Sequence, residues 1–338
     1  MGSSTKRRDC VLYSVTGLTS IIMVIDTHHH MLPDFFYEAT NEKESPVGGL
    51  KPQQWTPEAS LSFMEEAEID IAILSISSPG IQLTDRHTSR KLARTCNELG
   101  ASLISRFPKR FGAFAAVPMT NMDDAMDEII YALDELKLDG VVLFTNSLGV
   151  YLGDKAMRPI FNELQRRKTV AYIHPNASPD PVAHSLGLTD NLIDFPCDTT
   201  RAIAQLHYGG TFAATPDVKY IFSHAGGTAP YLAGRFAIVD EMKIMGDSST
   251  TGTAAETFRR LYWDTASAWS DPVLHTLLNI TGGEKILFGT DFPYLRKDIA
   301  VRSKDCVARS TELTAEQRKQ VLGTNALNLF PRFKLLYN

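Results

Sequence analysis

The chain has 338 residues, a net charge of −5 and no basic run beyond Lys6-Arg7-Arg8, which argues against a nucleic-acid partner. Hydrophobic residues make up 43%, enough for a large core, and no stretch of roughly 18 consecutive apolar residues marks a membrane span. Cys10, Cys96, Cys197 and Cys306 are scattered without a Cys-x-x-Cys pair, so neither a disulfide framework nor a cysteine zinc cluster is expected, and the expected location is the cytoplasm.

Residues 1–20 read as an N-terminal extension. Lys6-Arg7-Arg8 followed by Val11 to Val24 imitates a secretory signal. Ser14, Thr16, Gly17, Thr19 and Ser20 interrupt the apolar stretch, however, and no small-x-small site closes it. Ile21–Asp26 then predicts a first strand, so the N-terminus is expected to stay attached. The loop Asp34–Gln54 carries Pro46-Val47-Gly48-Gly49 and shows no clear helical pattern. A helix over Pro57–Glu68 starts behind Thr56 as N-cap, with Pro in the first turn. Strands over Ile69–Ile76, Phe111–Val117, Gly140–Phe144 and Thr169–His174 alternate with helices over Arg86–Arg106, Met122–Lys137 and Asp154–Arg167. After the fifth strand comes a long insertion, Asn176–Pro216, rich in Pro, Ser and Asp. Strands over Val218–Ser223, Leu261–Asp264 and Lys285–Gly289 complete the set, with helices over Tyr231–Met245, Asp271–Leu278 and Thr314–Leu322. The last of these opens on the capping-box pattern Thr314-Ala315-Glu316-Gln317.

The strands are near-continuous apolar runs, as parallel strands between helices and an interior must be. Eight strand–helix units predict an α/β fold, a (β/α)8 TIM-type barrel over residues 21–338 with a long insertion after strand five. The alternative, an open doubly wound sheet, spreads its strand ends along an edge. Only a barrel returns strand eight to strand one, and the polar residues demand that return.

Those residues stand at strand ends. In Asp26-Thr27-His28-His29-His30, alternation puts His28 and His30 on one face and His29 on the other. His174 ends the fifth strand, His224 the sixth and Asp291 the eighth. An imidazole or carboxylate directly after a buried apolar run is costly unless it is paired or metal-bound. His28, His30, His174 and Asp291 are therefore the expected ligands of one divalent ion, with zinc expected from three imidazoles and manganese the alternative. Asp264 ends strand seven, where it either orients the site or satisfies backbone donors. His87, His184, His207 and His275 lack a strand-end setting.

The combination His28-x-His30, His174, His224 and Gly289-Thr290-Asp291-Phe292-Pro293 resembles the amidohydrolase superfamily. Leu74–Gly80, Phe195–Arg201 and Gly323-Thr324-Asn325-Ala326 are similar to its non-hydrolytic branch of decarboxylases, and the resemblance runs from about Met23 to Phe333. Within that branch the chain resembles the fungal 6-methylsalicylate decarboxylases, which implies release of CO2 from an ortho-hydroxybenzoic acid to leave 3-methylphenol. The same resemblance implies a homodimer in which Arg235, eleven residues after His224, reaches the neighbouring site.

Reaction type follows in part from the residues themselves. Strand four reads Gly140-Val141-Val142-Leu143-Phe144-Thr145-Asn146, without the Lys that bridges two metals in hydrolases of the superfamily. One metal that binds substrate oxygens is expected, with no organic cofactor. Asp291 and His224 are the candidate proton donors; Asp291 is the expected one, with His224 positioning and charging it, and His224 as donor is the alternative. Trp55, Phe195, Phe292 and Tyr294, in or beside mouth loops, are candidate ring contacts for a small aromatic carboxylic acid. The competing reading is a metal-dependent hydrolase or lactonase on the same barrel.

Overall fold

The computed structural model describes residues 23–41, 49, 53–179, 187–245 and 252–337. Eight parallel strands follow one another in space in chain order: β1 (Ile25–His30), β2 (Ile71–Ser75), β3 (Phe111–Ala116), β4 (Gly140–Phe144), β5 (Val170–His174), β6 (Lys219–Phe222), β7 (Tyr262–Asp264) and β8 (Ile286–Leu287). Helices pack outside. The backbone that follows β8 closes the ring against β1. Thr27 N–H donates to Phe288 O at 2.9 Å, Asp291 N–H to His28 O at 2.9 Å, and His30 N–H to Phe292 O at 2.7 Å. The barrel reading is thereby met and the open sheet is excluded.

The period-2 pattern sets what fills the interior. Tyr172 and His174 share the inner face of β5, and Tyr172 stacks on Phe114 with centroids 5.1 Å apart. Its buried hydroxyl contacts Asp264, and burial pushes its pKa well above the usual tyrosine range. An uncharged plug thus underlies the barrel mouth.

Several local predictions hold. Thr56 Oγ1 accepts from Ala59 N–H, Arg86–Arg106 is helical over the predicted span, and Thr314 with Gln317 forms the capping box. Others are corrected. β1 starts at Ile25 rather than Ile21 and continues through all three histidines; Ile21, Ile22 and the N-terminal extension lie outside the described residues. Asp34–Thr40 is a helix, although that loop carries no clear periodicity. The insertion contains the helix Asp194–Tyr208, which Pro196 and the flanking acidic residues disguise in the sequence. Lys297–Arg309 is a further helix that the sequence reading passed over.

Candidate metal and active site

β1 delivers two imidazoles to one point. His28 Nε2 and His30 Nε2 lie 3.0 Å apart, although neither of two neutral imidazoles with its proton on Nδ1 can donate to the other. The Nδ1 atoms are engaged elsewhere. His28 Nδ1–H donates to Asp264 Oδ2 at 2.9 Å, and His30 Nδ1 lies 3.3 Å from Ser75 Oγ. His174 behaves alike, its Nδ1–H donating to Pro175 O at 2.8 Å. The acceptor-only partners of His28 and His174 require Nδ1–H, which in a neutral ring leaves the Nε2 lone pair facing the cluster, a donor set that suits a divalent cation.

Asp291 supplies the carboxylate. Its Oδ1 is 3.4 Å from His28 Nε2 and 3.2 Å from His30 Nε2, and its Oδ2 is 3.4 Å from His224 Nε2. Ser267 Oγ donates to the same Oδ2 at 3.2 Å. Two overlapping triads, His28-His174-His224 and His28-His30-Asp291, each hold their ligand atoms within 4.8 Å of one another. All five predicted strand-end residues therefore meet in one cluster.

Burial and neighbouring charge act in opposite directions across the cluster. Burial pushes His28 down, but Asp264 and Asp291 outweigh it and raise its pKa to about 10. His30 goes the other way: burial lowers it to about 4, with only partial support from Asp291. Burial likewise holds His174 well below the usual imidazole range. Burial opposes the charge of Asp291, yet His28 and hydrogen bonds from His224, His28 and His30 hold its carboxyl well below the usual range.

The backbone bends to make this cluster. His224 has φ 52°, Ala225 φ 55° and Asp291 φ 62°, left-handed conformations that are strained for side-chain-bearing residues. At Gly227 (φ 65°) a Cβ would lie 2.1 Å from Pro196 O, so glycine is required where the turn after β6 meets the insertion helix.

Two carboxylates that the metal motif does not contain hold the site. Asp264 takes His28 Nδ1–H on Oδ2, and on Oδ1 it accepts His224 N–H (2.8 Å) and Ala266 N–H (3.0 Å). It both orients a ligand and satisfies backbone donors. Asp26 was missed in the sequence. It is fully buried and accepts from Thr290 Oγ1 (2.5 Å), Thr290 N–H (3.0 Å) and His29 Nδ1–H (3.0 Å), tying β1 to the strand-eight loop. An aspartate inside an apolar strand was the signal, because such a group must be paired.

A cavity of about 680 Å³ opens above the cluster. His174, His224 and Asp291 form its floor, and Phe195 and Tyr294 line it. Two expected ring contacts sit elsewhere. Trp55 is buried behind β1, where its Nε1–H donates to Ser60 Oγ. Phe292 stacks on Phe63 at 4.2 Å, because the bridge from His29 to Phe292 turns its ring outward. Arg235 is exposed on the helix Ala233–Glu241 and is not among the residues lining the cavity. At the end of β4, Thr145 and Asn146 instead donate to the buried Asp198 and so anchor the insertion helix.

A sequence profile described as amidohydrolase matches residues 25–332. The chain belongs to the amidohydrolase family. Within it the chain stands in the decarboxylase branch, among the carboxy-lyases. It is 36% identical to a decarboxylase of Aspergillus niger, over 92% of this chain and 88% of that one. It is 35% identical to a 6-methylsalicylic acid decarboxylase of Aspergillus aculeatus, over 92% of this chain and 97% of that one. The fold superimposes on 5-carboxyvanillate decarboxylase of Novosphingobium aromaticivorans, crystallised with manganese and 4-hydroxy-3-methoxy-5-nitrobenzoic acid. The TM-score is 0.81 at 22% identity, covering 94% of this chain and 98% of that one.

Proposed function

We propose that the protein is a metal-dependent, non-oxidative decarboxylase of an ortho-hydroxybenzoic acid, with 6-methylsalicylate as substrate and 3-methylphenol and CO2 as products. The observation that carries this is the convergence of His28, His30, His174 and Asp291 beneath an aromatic-lined cavity. These four would hold one divalent ion, zinc by its imidazole set or manganese as in the related crystal structure. When bound, that ion supplies Lewis-acid charge for the substrate carboxylate and its ortho oxygen.

The chain's own residues do the rest. Asp291, its Oδ2 held by Ser267 and His224, passes a proton to the ring carbon that bears the carboxylate. A carboxyl held so low is anionic at rest, so His224 at 3.4 Å is the group that recharges it. The bond to the carboxylate then breaks, CO2 leaves and the ring regains aromaticity. Phe195, with its centroid 6.3 Å from that of His174, and Tyr294, 5.4 Å from His30, flank the ring and exclude water. No organic cofactor takes part.

The enzyme works as a homodimer in the cytoplasm. Tyr231, Ile238, Met242 and Met245 are exposed around Arg235, an apolar face suited to a second copy, and Arg235 acts at the partner's cavity. Sedimentation should give a dimer for the parent and a monomer for Ile238→Lys. No helix among the described residues is long and apolar enough to cross a membrane, and Cys96, Cys197 and Cys306 are unpaired.

The reaction is tested by incubating metal-loaded protein with 6-methylsalicylate in D2O. 3-Methylphenol carrying deuterium at the former carboxylate carbon is expected. Cleavage of esters or lactones with no salicylate-type acid consumed would establish the hydrolase instead.

A further inference from the structure

The cavity is larger than its proposed substrate needs, and its two ends differ in chemistry. At about 680 Å³ it matches the clefts of roughly 300–1,000 Å³ that enclose drug-sized ligands, whereas a methylsalicylate is a single ring with three small substituents. The floor, at the strand ends, is polar: Ser77, Ser78, His174, His224 and Asp291. The outer wall is built by other elements and is mainly apolar, with Thr189, Asn191 and Ser270 interspersed. Leu192 and Phe195 come from the insertion, Trp269 and Val273 from the segment after β7, and Leu295 from the segment after β8.

Exposure rises from floor to lip. His174 is 2% exposed, Phe195 9%, and Leu192, at the mouth, 63%. A leucine left that open on a cavity wall gains only when something apolar covers it. Among the described residues no Lys or Arg lines the cavity, so none of them offers a counter-charge to a second anionic group on the ring.

We infer that this wall is a subsite for an alkyl chain on the substrate ring, so that the preferred substrates are alkylsalicylates longer than the methyl compound. The inference rests on the salicylate reading of the floor. With carboxylate and phenol oxygens held at the floor, the ring edge opposite them faces the mouth, and a chain at ring position 4 runs along Phe195, Trp269 and Val273 toward Leu192. Such a chain is bound equally in ground and transition states, so it lowers KM and raises kcat/KM with little change in kcat.

The test is a series of 4-methyl-, 4-propyl- and 4-pentyl-2-hydroxybenzoates with metal-loaded parent protein. Each methylene that reaches the wall should raise kcat/KM about threefold to fourfold, until the wall is covered. Leu192→Asp, at an exposed position, and Val273→Thr should flatten the series, with metal content and thermal midpoint reporting that both variants fold. For any compound not turned over, calorimetry reads Kd, which should tighten by the same factor per methylene with a negative heat-capacity change. Turnover of the methyl compound with a flat or falling series overturns the subsite and leaves the reaction standing. Tightening Kd without turnover of the series or of 6-methylsalicylate overturns the reaction and leaves the subsite standing. A parent-like slope in both variants assigns the chain to another surface and overturns the wall.

Discussion

The two faces of β1 carry the same residue type under opposite conditions. On one face the Nε2 atoms of His28 and His30 lie 3.0 Å apart and converge on Asp291 Oδ1, at 3.4 and 3.2 Å. On the other face His29 is saturated: Nδ1–H donates to Asp26 at 3.0 Å, and Nε2 meets Ser60 Oγ, itself bonded to Trp55, at 2.9 Å. All three rings are fully buried. Burial therefore does not distinguish a ligand from a structural histidine. What differs is the arrangement of partners: His28 and His30 crowd their Nε2 atoms on one carboxylate oxygen, whereas each nitrogen of His29 has a separate partner.

The largest effect should come from breaking the face that carries the cluster. Asp291→Asn keeps the shape but cannot deliver a proton, and should lower kcat by about 10²–10⁴-fold even where some metal stays bound. Removing metal with a chelator should abolish turnover, and zinc or manganese should restore it. His174→Ala should show metal content well below the parent's by elemental analysis. Asp264→Ala leaves every ligand in place but frees His28 Nδ1, and should weaken metal affinity about 10–100-fold in competition titrations.

The saturated face should respond in stability alone. His29→Ala removes two buried hydrogen bonds and a ring, and should cost roughly 2–4 kcal/mol in denaturant unfolding with metal content per folded protein unchanged. A loss of metal equal to that of His174→Ala would erase the contrast between the faces.

Acidity sharpens the contrast in metal-free protein. His30, at about 4, and His174 take protons less readily folded than unfolded, so stability falls as pH drops from 6.5 toward 4. His28, raised to about 10, contributes fully below 6.5 and loses that contribution as pH climbs through 10. The thermal midpoint of chelator-treated protein should peak near pH 6.5, and bound metal should suppress the acid limb. The smallest effect belongs to Trp55→Phe, which loses one hydrogen bond to Ser60. It should cost about 1 kcal/mol and leave kcat/KM unchanged; a substrate role for Trp55 would show instead as raised KM.

What the amino-acid order determined by itself is local. Apolar runs at regular intervals specified eight parallel strands, and the two-residue period separated His28 and His30 from His29 before any contact was known. Polar groups stranded at apolar strand ends marked His174, His224 and Asp291, because burial there demands a partner. Only the tertiary structure decided which partners those are. His28 and Asp264 are 236 residues apart, and Asp26 and Thr290 are 264 apart. Only barrel closure joins such pairs, and no periodicity within a short window encodes it. The same closure sent Phe292 into the packing around Phe63 and placed Trp55 behind β1, while the helix Asp194–Tyr208 carried Phe195 to the cavity. Aromatic residues near a mouth loop look alike in sequence; side-chain direction, set by neighbours far along the chain, decides which of them meets the substrate.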